Sequence, residues 1–288
     1  MDHIPLPGLV DAAARIVGRP LVLDRVLTGG QHARTVLVRD ADASLVVRVF
    51  PRGDDAVVRE LDVLRRLGPL GDLAPRLVAH GDVDGLPLIV TTALPGGPPG
   101  TDLDPVTIGL RMGTALAAVH RLDPSGLPDD VRAPTLRAGR LAAAAHRAWS
   151  GVRTDRVLTH GDFWSGNTVW SGEHLAGIVD WSGARSAPRG VDVAWCRQDL
   201  VLLGSTDAAD RFLRSYEQHA GRTLPDVRAW DVVAAARADT YVETWAENYA
   251  GIGHPGITAQ VLRQRFDEWV RTLVGSRTDG TTVAFGQR

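Results

Sequence analysis

The stretch that decides the reading is His160-Gly161-Asp162-Phe163-Trp164-Ser165-Gly166-Asn167. A short apolar run at 156–159 precedes it, and two more runs follow, 168–170 and 175–179, joined through Ser171-Gly172. The pattern predicts a strand, a tight loop and a hairpin. The hairpin's second strand ends in Ile178-Val179-Asp180-Trp181, so Asp180 lies 18 positions beyond Asp162, and Asn167 only five. Taken alone, His-Gly-Asp with a later Asn is also what a turn with a capping aspartate looks like. Three oxygen-bearing side chains gathered by one loop and one hairpin have a chemical use, however. Phosphoryl transfer needs a carboxylate at the attacking hydroxyl and two oxygen ligands for a Mg²⁺ that bridges nucleotide phosphates.

Upstream of this stretch, runs rich in Val, Leu and Ile at 21–27, 35–39 and 45–50 are separated by turn residues and predict three antiparallel strands. Asp54 or Asp55 then offers a cap for a helix with Val57, Leu61, Leu64 and Leu67 on one face, stopped by Gly68-Pro69. Two more strand-like runs, 76–79 and 86–92, lead into Leu94-Pro95-Gly96-Gly97-Pro98-Pro99-Gly100, the densest Pro/Gly stretch of the chain. Beyond it the apolar spacing becomes helical: Ile108, Met112, Leu116 and Val119, then stripes through 134–149, 207–219, 227–248 and 257–274. The expectation is an α+β chain of two lobes, a small β-rich one at 1–93 and a larger, mostly helical one at 94–275. A polar tail follows at 276–288.

The loop and hairpin around Asp162 resemble the catalytic loop and metal-binding motif of the aminoglycoside phosphotransferase/choline kinase-like family, relatives of protein kinases. The likeness extends over most of 20–200. Thr28-Gly29-Gly30-Gln31-His32-Ala33-Arg34 stands where that family places its nucleotide-covering loop. Arg48, in Val46-Val47-Arg48-Val49-Phe50, occupies the third-strand position at which kinases usually carry lysine, and Glu60 matches its helix partner. Leu94-Pro95-Gly96 resembles the interlobe hinge, and Ala117-Ala118-Val119-His120 the end of the first large-lobe helix. Asp192, in Gly190-Val191-Asp192-Val193-Ala194, resembles the aspartate that braces the catalytic loop; a plain helix N-cap before 193–203 is the alternative.

The resemblance implies a bilobal protein-kinase-like fold, ATP or GTP as donor and Mg²⁺ as cofactor. It makes Asp162 the catalytic base, Asn167 and Asp180 the metal ligands, and His160 a structural support of the loop together with Asp192. Gly29, Gly30, Gln31, Arg48, Glu60, Thr92 and Leu94 form the expected nucleotide set, with Thr91 or Thr92 facing the base. The glycine loop is not the Gly-x-Gly-x-x-Gly of protein kinases, and arginine at position 48 departs from the family pattern while keeping the charge and gaining a planar fork. A charge in the middle of an apolar strand needs a reason.

Composition removes competing chemistries. The chain has 288 residues, 44% hydrophobic and 23% charged, with a formal charge of −2, so bulk attraction to nucleic acid or an anionic membrane is not expected. All 32 basic residues are arginine. Without lysine there is no P-loop and no Schiff-base chemistry. The single cysteine, Cys196, excludes an intrachain disulfide and a thiolate zinc site, and the nine histidines show no His-x-x-x-His pair. No uncharged apolar run approaches the ~18 residues of a membrane span, and Met1-Asp2-His3-Ile4-Pro5 lacks the basic and apolar regions of a signal peptide. A cytoplasmic protein is expected. Gly251-Ile252-Gly253-His254-Pro255-Gly256 fits a dinucleotide fingerprint but follows a helical stretch and has no strand context, so it reads as a loop.

The acceptor is less legible. Asp199, Asp239 and Glu243 lie on helices of the large lobe, and Asp239, Glu243 and Glu247 recur every four residues. That spacing predicts one acidic helix face, suited to a polycationic antibiotic or amino sugar, or simply to solvent. Trp164 and Trp181 adjoin the candidate catalytic residues and either wall the acceptor pocket or support it by packing. Three function classes remain. The first is a small-molecule kinase acting on an aminoglycoside-like antibiotic, or on an amino-sugar or amino-alcohol metabolite. The second is a catalytically silent binding protein with this fold. The third, a protein kinase, is disfavoured because about ten residues between Asp180 and Asp192 leave no room for a long activation loop.

Overall fold

A computed structural model describes residues 4–27, 34–129 and 139–275. Gly29, Gly30 and Gln31, the start of the 134–149 stripe and the 276–288 tail lie outside the described residues.

The small lobe is a five-stranded antiparallel sheet of β1 (Val22–Leu27), β2 (Arg34–Arg39), β3 (Ser44–Val49), β4 (Leu77–Val83) and β5 (Leu86–Thr92), in the order β1-β2-β3-β5-β4. Alternation gives it two faces. Val36, Val38, Val47, Leu88 and Val90 point outward, onto helix α1 (Leu6–Val17), which buries Leu9, Val10, Ala12 and Ala13 there. The sequence reading did not include α1, although Leu6, Leu9, Val10 and Ala13 carry helical spacing and Gly18 ends the helix at φ +79°. The inner face carries Arg48 and Ile89, and Ile89 joins helix α2 (Ala56–Leu64) and the large lobe in one continuous apolar core. Each fully buried Leu, Ile or Val there contributes about 1.5–3 kcal/mol.

The large lobe holds α3 (Pro105–Val119), α4 (Ala142–Trp149), α5 (Gly190–Leu203), α6 (Thr206–Ala220), α7 (Val227–Ala238), α8 (Ala246–Gly251) and α9 (Ala259–Val274). Side-chain caps fix several starts: Asp104 accepts from the Val106 and Thr107 amides, Ser205 from Ala208 and Thr258 from Val261. The same half of the chain holds two small ribbons, β6 (Arg156–Thr159) with β9 (Arg185–Pro188), and β7 (Thr168–Ser171) with β8 (His174–Ile178). The hinge is stitched to β7 by a pair of backbone bonds between Gly97 and Trp170 (3.0 and 2.6 Å). Gly96 adopts φ +114°, and a Cβ there would stand 2.0 Å from the Trp170 carbonyl, so only glycine permits this contact.

Two expectations are corrected. The 227–248 stripe is not one helix: α7 ends at Ala238, a 3₁₀ turn spans Val242–Trp245, and α8 begins at Ala246. Asp239, Glu243 and Glu247 therefore do not share a helix face. Asp192 is not an N-cap either, because α5 starts at Gly190 and the Asp192 carboxylate turns away from its own helix.

Candidate active site

The loop after β6 is shaped from below. Asp192 is wholly buried and receives the amide of His160 on Oδ2 (2.7 Å) and that of Gly161 on Oδ1 (2.8 Å). His120, at the end of α3, adds Nε2–H to Asp192 Oδ2 (3.2 Å). Its Nδ1 lies 2.9 Å from the Tyr216 hydroxyl, which in turn accepts from Arg189 (2.9 Å). Only one proton arrangement satisfies every partner: Arg189 donates to Tyr216, Tyr216 to His120, and His120 to Asp192. Burial alone would raise the Asp192 carboxyl, but the bonds from His120 and Gly161 hold it below its ordinary value, while burial keeps His120 below its own. Gly161, at φ +84°, lets the chain pass Gly183, whose carbonyl would sit 2.2 Å from a Cβ.

His160 is also buried. Its Nε2 donates to the Val179 carbonyl (2.9 Å), Nδ1 faces the Asp162 amide (3.4 Å), and its ring lies 4.7 Å from that of Trp181. Trp181 is 1% exposed and spends its N–H on the Ile178 carbonyl (3.0 Å). The structure therefore puts Trp181 beneath the loop, in the core, and not on a pocket wall. Asp199 is likewise underneath, accepting from the Ser165 amide (2.9 Å) and the Tyr249 hydroxyl (2.8 Å), and burial pushes its carboxyl up to about 6. Trp164 is half-buried, edge-on to Tyr249 at 5.9 Å.

Above these supports both oxygens of Asp162 are engaged. Asn167 Nδ2 donates to Oδ2 (3.0 Å) and to the Asp162 carbonyl (2.8 Å), while Trp195 Nε1, from α5, donates to Oδ1 (2.9 Å). Each carboxylate oxygen keeps a second lone pair. Both protons of the Asn167 amide are used on Asp162, and among the described residues its oxygen has no hydrogen-bond partner. Asp180 ends the β8 hairpin in the left-handed region (φ +61°), with Oδ1 bonded to Ser182 (2.8 Å) and Arg48 (3.1 Å). Burial works to raise its carboxyl, yet Arg48 and Ser182 hold it below the ordinary value.

Arg48 links the lobes. One guanidinium nitrogen meets Glu60 in a short ion pair, the other meets Asp180, and the group lies 5.4 Å from the Phe50 ring centre. Burial pushes the Glu60 carboxyl up to about 7 against the pull of Arg48. Thr91 shares the inner face with Arg48, since Arg48 pairs with Ile89 and Val46 with Thr91. Thr92 therefore lies on the other face, where its hydroxyl accepts from the Arg76 amide (3.0 Å). Thr92 and Leu94 line a cavity of about 410 Å³ with Asp72, Arg76, Ser171 and His174, separate from the Arg48 face.

The acidic row meets a different end. Arg263 bonds Glu243 through two nitrogens (2.6 and 2.7 Å) and Asp239 through a third contact (3.2 Å), while Arg140 holds Asp239 (3.0 Å) and Asp267. These carboxylates are spent on arginine. Reading by sequence missed Trp195, His120, Tyr216 and Arg189 as site residues. Nothing in local spacing marks them, because their partners lie between 27 and 96 positions away in the chain.

Among the described residues no cluster of three or more His, Cys, Asp or Glu forms a metal site. Asp180 and Asn167 each offer hard oxygen donors. That fits Mg²⁺, which keeps several waters and takes one or two protein ligands beside substrate phosphates.

Fold and loop together are those of a two-lobed, kinase-like protein. A family model for the phosphotransferase enzyme family matches residues 25–236, and the chain belongs to that family. It is thus a phosphotransferase with an alcohol group as acceptor. Among solved structures the chain is similar to macrolide 2'-phosphotransferase MphH from Brachybacterium faecium, with 21% identity over 89% of this chain and 97% of that one, and a TM-score of 0.63. It is also similar to aminoglycoside phosphotransferase APH(4)-Ia in a ternary complex with ADP and hygromycin B (17% identity, 94% and 100% covered, TM-score 0.62). A third is an aminoglycoside-3'-phosphotransferase of type VIII (20% identity, 78% and 98% covered, TM-score 0.58). At these identities the likeness is one of fold. A comparison with curated protein sequences finds no significant match. Among the described residues no helix is long and apolar enough to cross a membrane.

Proposed function

We propose that this enzyme transfers the γ-phosphate of ATP, or of GTP, to a hydroxyl of a small molecule. The acceptor class is an antibiotic or an amino-sugar or amino-alcohol metabolite, and the setting is the cytoplasm. The small lobe, through residue 93, covers the nucleotide, and residues 94–275 carry the catalytic loop and the acceptor site. One observation carries the reading: Asp162 is fixed through both carboxylate oxygens, on a loop braced by buried Asp192, while Arg48 ties Asp180, at the end of the hairpin that follows, to the small lobe.

In the reaction the acceptor oxygen forms a bond to the γ-phosphorus, and the bond from that phosphorus to the β–γ bridging oxygen breaks. The hydroxyl proton passes to Asp162, and the nucleoside diphosphate leaves. Asp162 supplies orientation first and proton acceptance second, since positioning and charge neutralisation dominate this chemistry. Asn167 and Asp180 would hold Mg²⁺, which when bound neutralises phosphate charge. Arg48 is placed to add a second, fixed positive charge on the phosphate side. The relatives in complex with ADP and hygromycin B, or named for macrolides, support a nucleotide and an antibiotic-sized acceptor.

The test is release of ADP or GDP, coupled to an optical readout, against a panel of antibiotics, sugars and amino alcohols. Asp162→Asn is expected to abolish turnover while calorimetry shows nucleotide affinity within about threefold of the wild type. Turnover retained by Asp162→Asn overturns the assignment.

A further inference from the structure

Trp195 donates its N–H to the Asp162 carboxylate, and it does not act alone. Its ring stands edge-on to Trp245 (5.3 Å, 72°), and Trp245 stands edge-on to Tyr241 (5.4 Å, 73°). Arg237 lies over the Trp195 ring at 5.7 Å. All three aromatics are half-buried, so their faces are neither sealed in the core nor swept by solvent. They come from α5, from the residues after α7 and from the turn before α8, and they meet beside the catalytic carboxylate.

The charges nearby point the same way. Asp239 and Glu243, two of the three carboxylates of the expected acidic row, are already bonded to Arg140 and Arg263, which also hold Asp267; Glu247, the third, is exposed, and Arg237 adds its charge over the Trp195 ring. A polycation would have to displace those arginines or approach them, at a cost in like-charge repulsion. An acceptor with an apolar ring face gains from flat aromatic surface instead.

Building on the phosphotransfer reading above, we propose that Trp195, Trp245 and Tyr241 form the acceptor wall, and that Trp195 is also the positioning residue for Asp162. The wall selects acceptors that present an apolar ring face next to the reacting hydroxyl and carry little positive charge. Multiply aminated sugars are selected against. Trp195 works twice over, its ring against the acceptor and its N–H fixing the oxygen that faces the hydroxyl. An acceptor seated on the ring is thereby brought to a base whose direction is already set.

Two probe sets separate the possibilities. One holds aryl glycosides and macrolides; the other holds multiply aminated sugars. ADP affinity by calorimetry is measured on every variant, and circular dichroism checks folding. With ring-faced probes the wild type is expected to show a KM about tenfold lower than with the aminated set. Trp245→Ala is expected to raise the ring-faced KM about tenfold, the loss appearing in KM rather than in kcat. Trp195→Phe keeps an aromatic face, though a smaller one, and removes the N–H, so kcat is expected to fall about tenfold with KM rising less than in Trp245→Ala, a split that mere loss of packing does not produce. Preference for the aminated set, no binding of any ring-faced probe, an unmoved KM in Trp245→Ala or an unmoved kcat in Trp195→Phe each overturns the proposal. If the wild type fails to bind nucleotide at all, the phosphotransfer reading falls with it. If nucleotide binds and only the acceptor split fails, the wall alone is wrong.

Discussion

Replacing Asp192 by asparagine changes one atom of a group with no solvent exposure and three N–H donors. The amide can keep its oxygen at the Oδ2 position, where His160 and His120 donate, or at Oδ1, where Gly161 donates, but not at both. In the better arrangement an NH₂ faces the Gly161 N–H across 2.8 Å, donor against donor. One charge-assisted bond is lost, worth about 1.5–3 kcal/mol, and the two that remain become neutral and weaker. Asparagine also escapes the cost of burying a charge, which works the other way. The direction of the Asp192 shift decides the sign: its carboxyl is held below the ordinary value despite complete burial, so its bonds outweigh desolvation. A net loss of about 3 kcal/mol is expected, or roughly 6 °C in Tm for a chain of this size. Differential scanning calorimetry at neutral pH reads it. A depressed native value contributes stability that is present above the unfolded carboxylate range and lost as pH falls through the native one. The gap between wild type and Asp192→Asn should therefore close below about pH 4. Because the same donors set the entry to the Asp162 loop, kcat should fall with stability. A variant within about 1 kcal/mol of the wild type at pH 7, or a gap that widens in acid, would refute the bracing argument.

Arg48→Ala removes the side chain that joins Glu60 to Asp180, and nucleotide affinity is expected to drop about tenfold to a hundredfold by calorimetry. An unchanged affinity removes Arg48 from the nucleotide site. Glu60→Gln tests a second electrostatic point, because burial has pushed Glu60 up to about 7 from an ordinary value near 4.5. The native chain keeps a proton that the unfolded chain has released, so this contribution is full below the unfolded value and is lost as pH rises through 7. The wild-type Tm should fall relative to that of Glu60→Gln between about pH 5 and pH 7.5. A constant difference speaks against it.

The fold was legible where chemistry and chain neighbourhood coincide. Asp162, Asn167 and Asp180 lie on one loop and one hairpin, so short-range turn signals suffice to bring them near each other. Arg48 stands out because a charge interrupts an apolar strand. Helix α1 is legible too, because Leu6, Leu9, Val10 and Ala13 carry its apolar spacing. The carboxylate row failed for a physical reason: four-residue spacing implies a shared face only while one helix continues, and here the helix ends at Ala238. The acids were then free to turn toward Arg140 and Arg263, whose positions no local pattern reveals. Trp195 and the relay from Arg189 through Tyr216 and His120 are products of tertiary packing between α3, α5 and α6.

Arginine at position 48 could be no more than drift in a chain that uses arginine for all its basic residues, and the geometry argues against that. NH1 meets Glu60, NH2 meets Asp180, and the flat face of the group lies toward Phe50. These are the properties that separate a guanidinium from an ammonium: a planar fork with several donors, weak hydration and an affinity for ring faces. A lysine on the same strand would bring one compact charge on a shorter stem, and would have to choose between the two carboxylates or sit between them at longer range. Exchange by lysine would therefore keep the charge and lose the bridge. The small lobe reaches Asp180 through the breadth of the guanidinium, so position 48 in this chain depends on the shape of its side chain as much as on its sign.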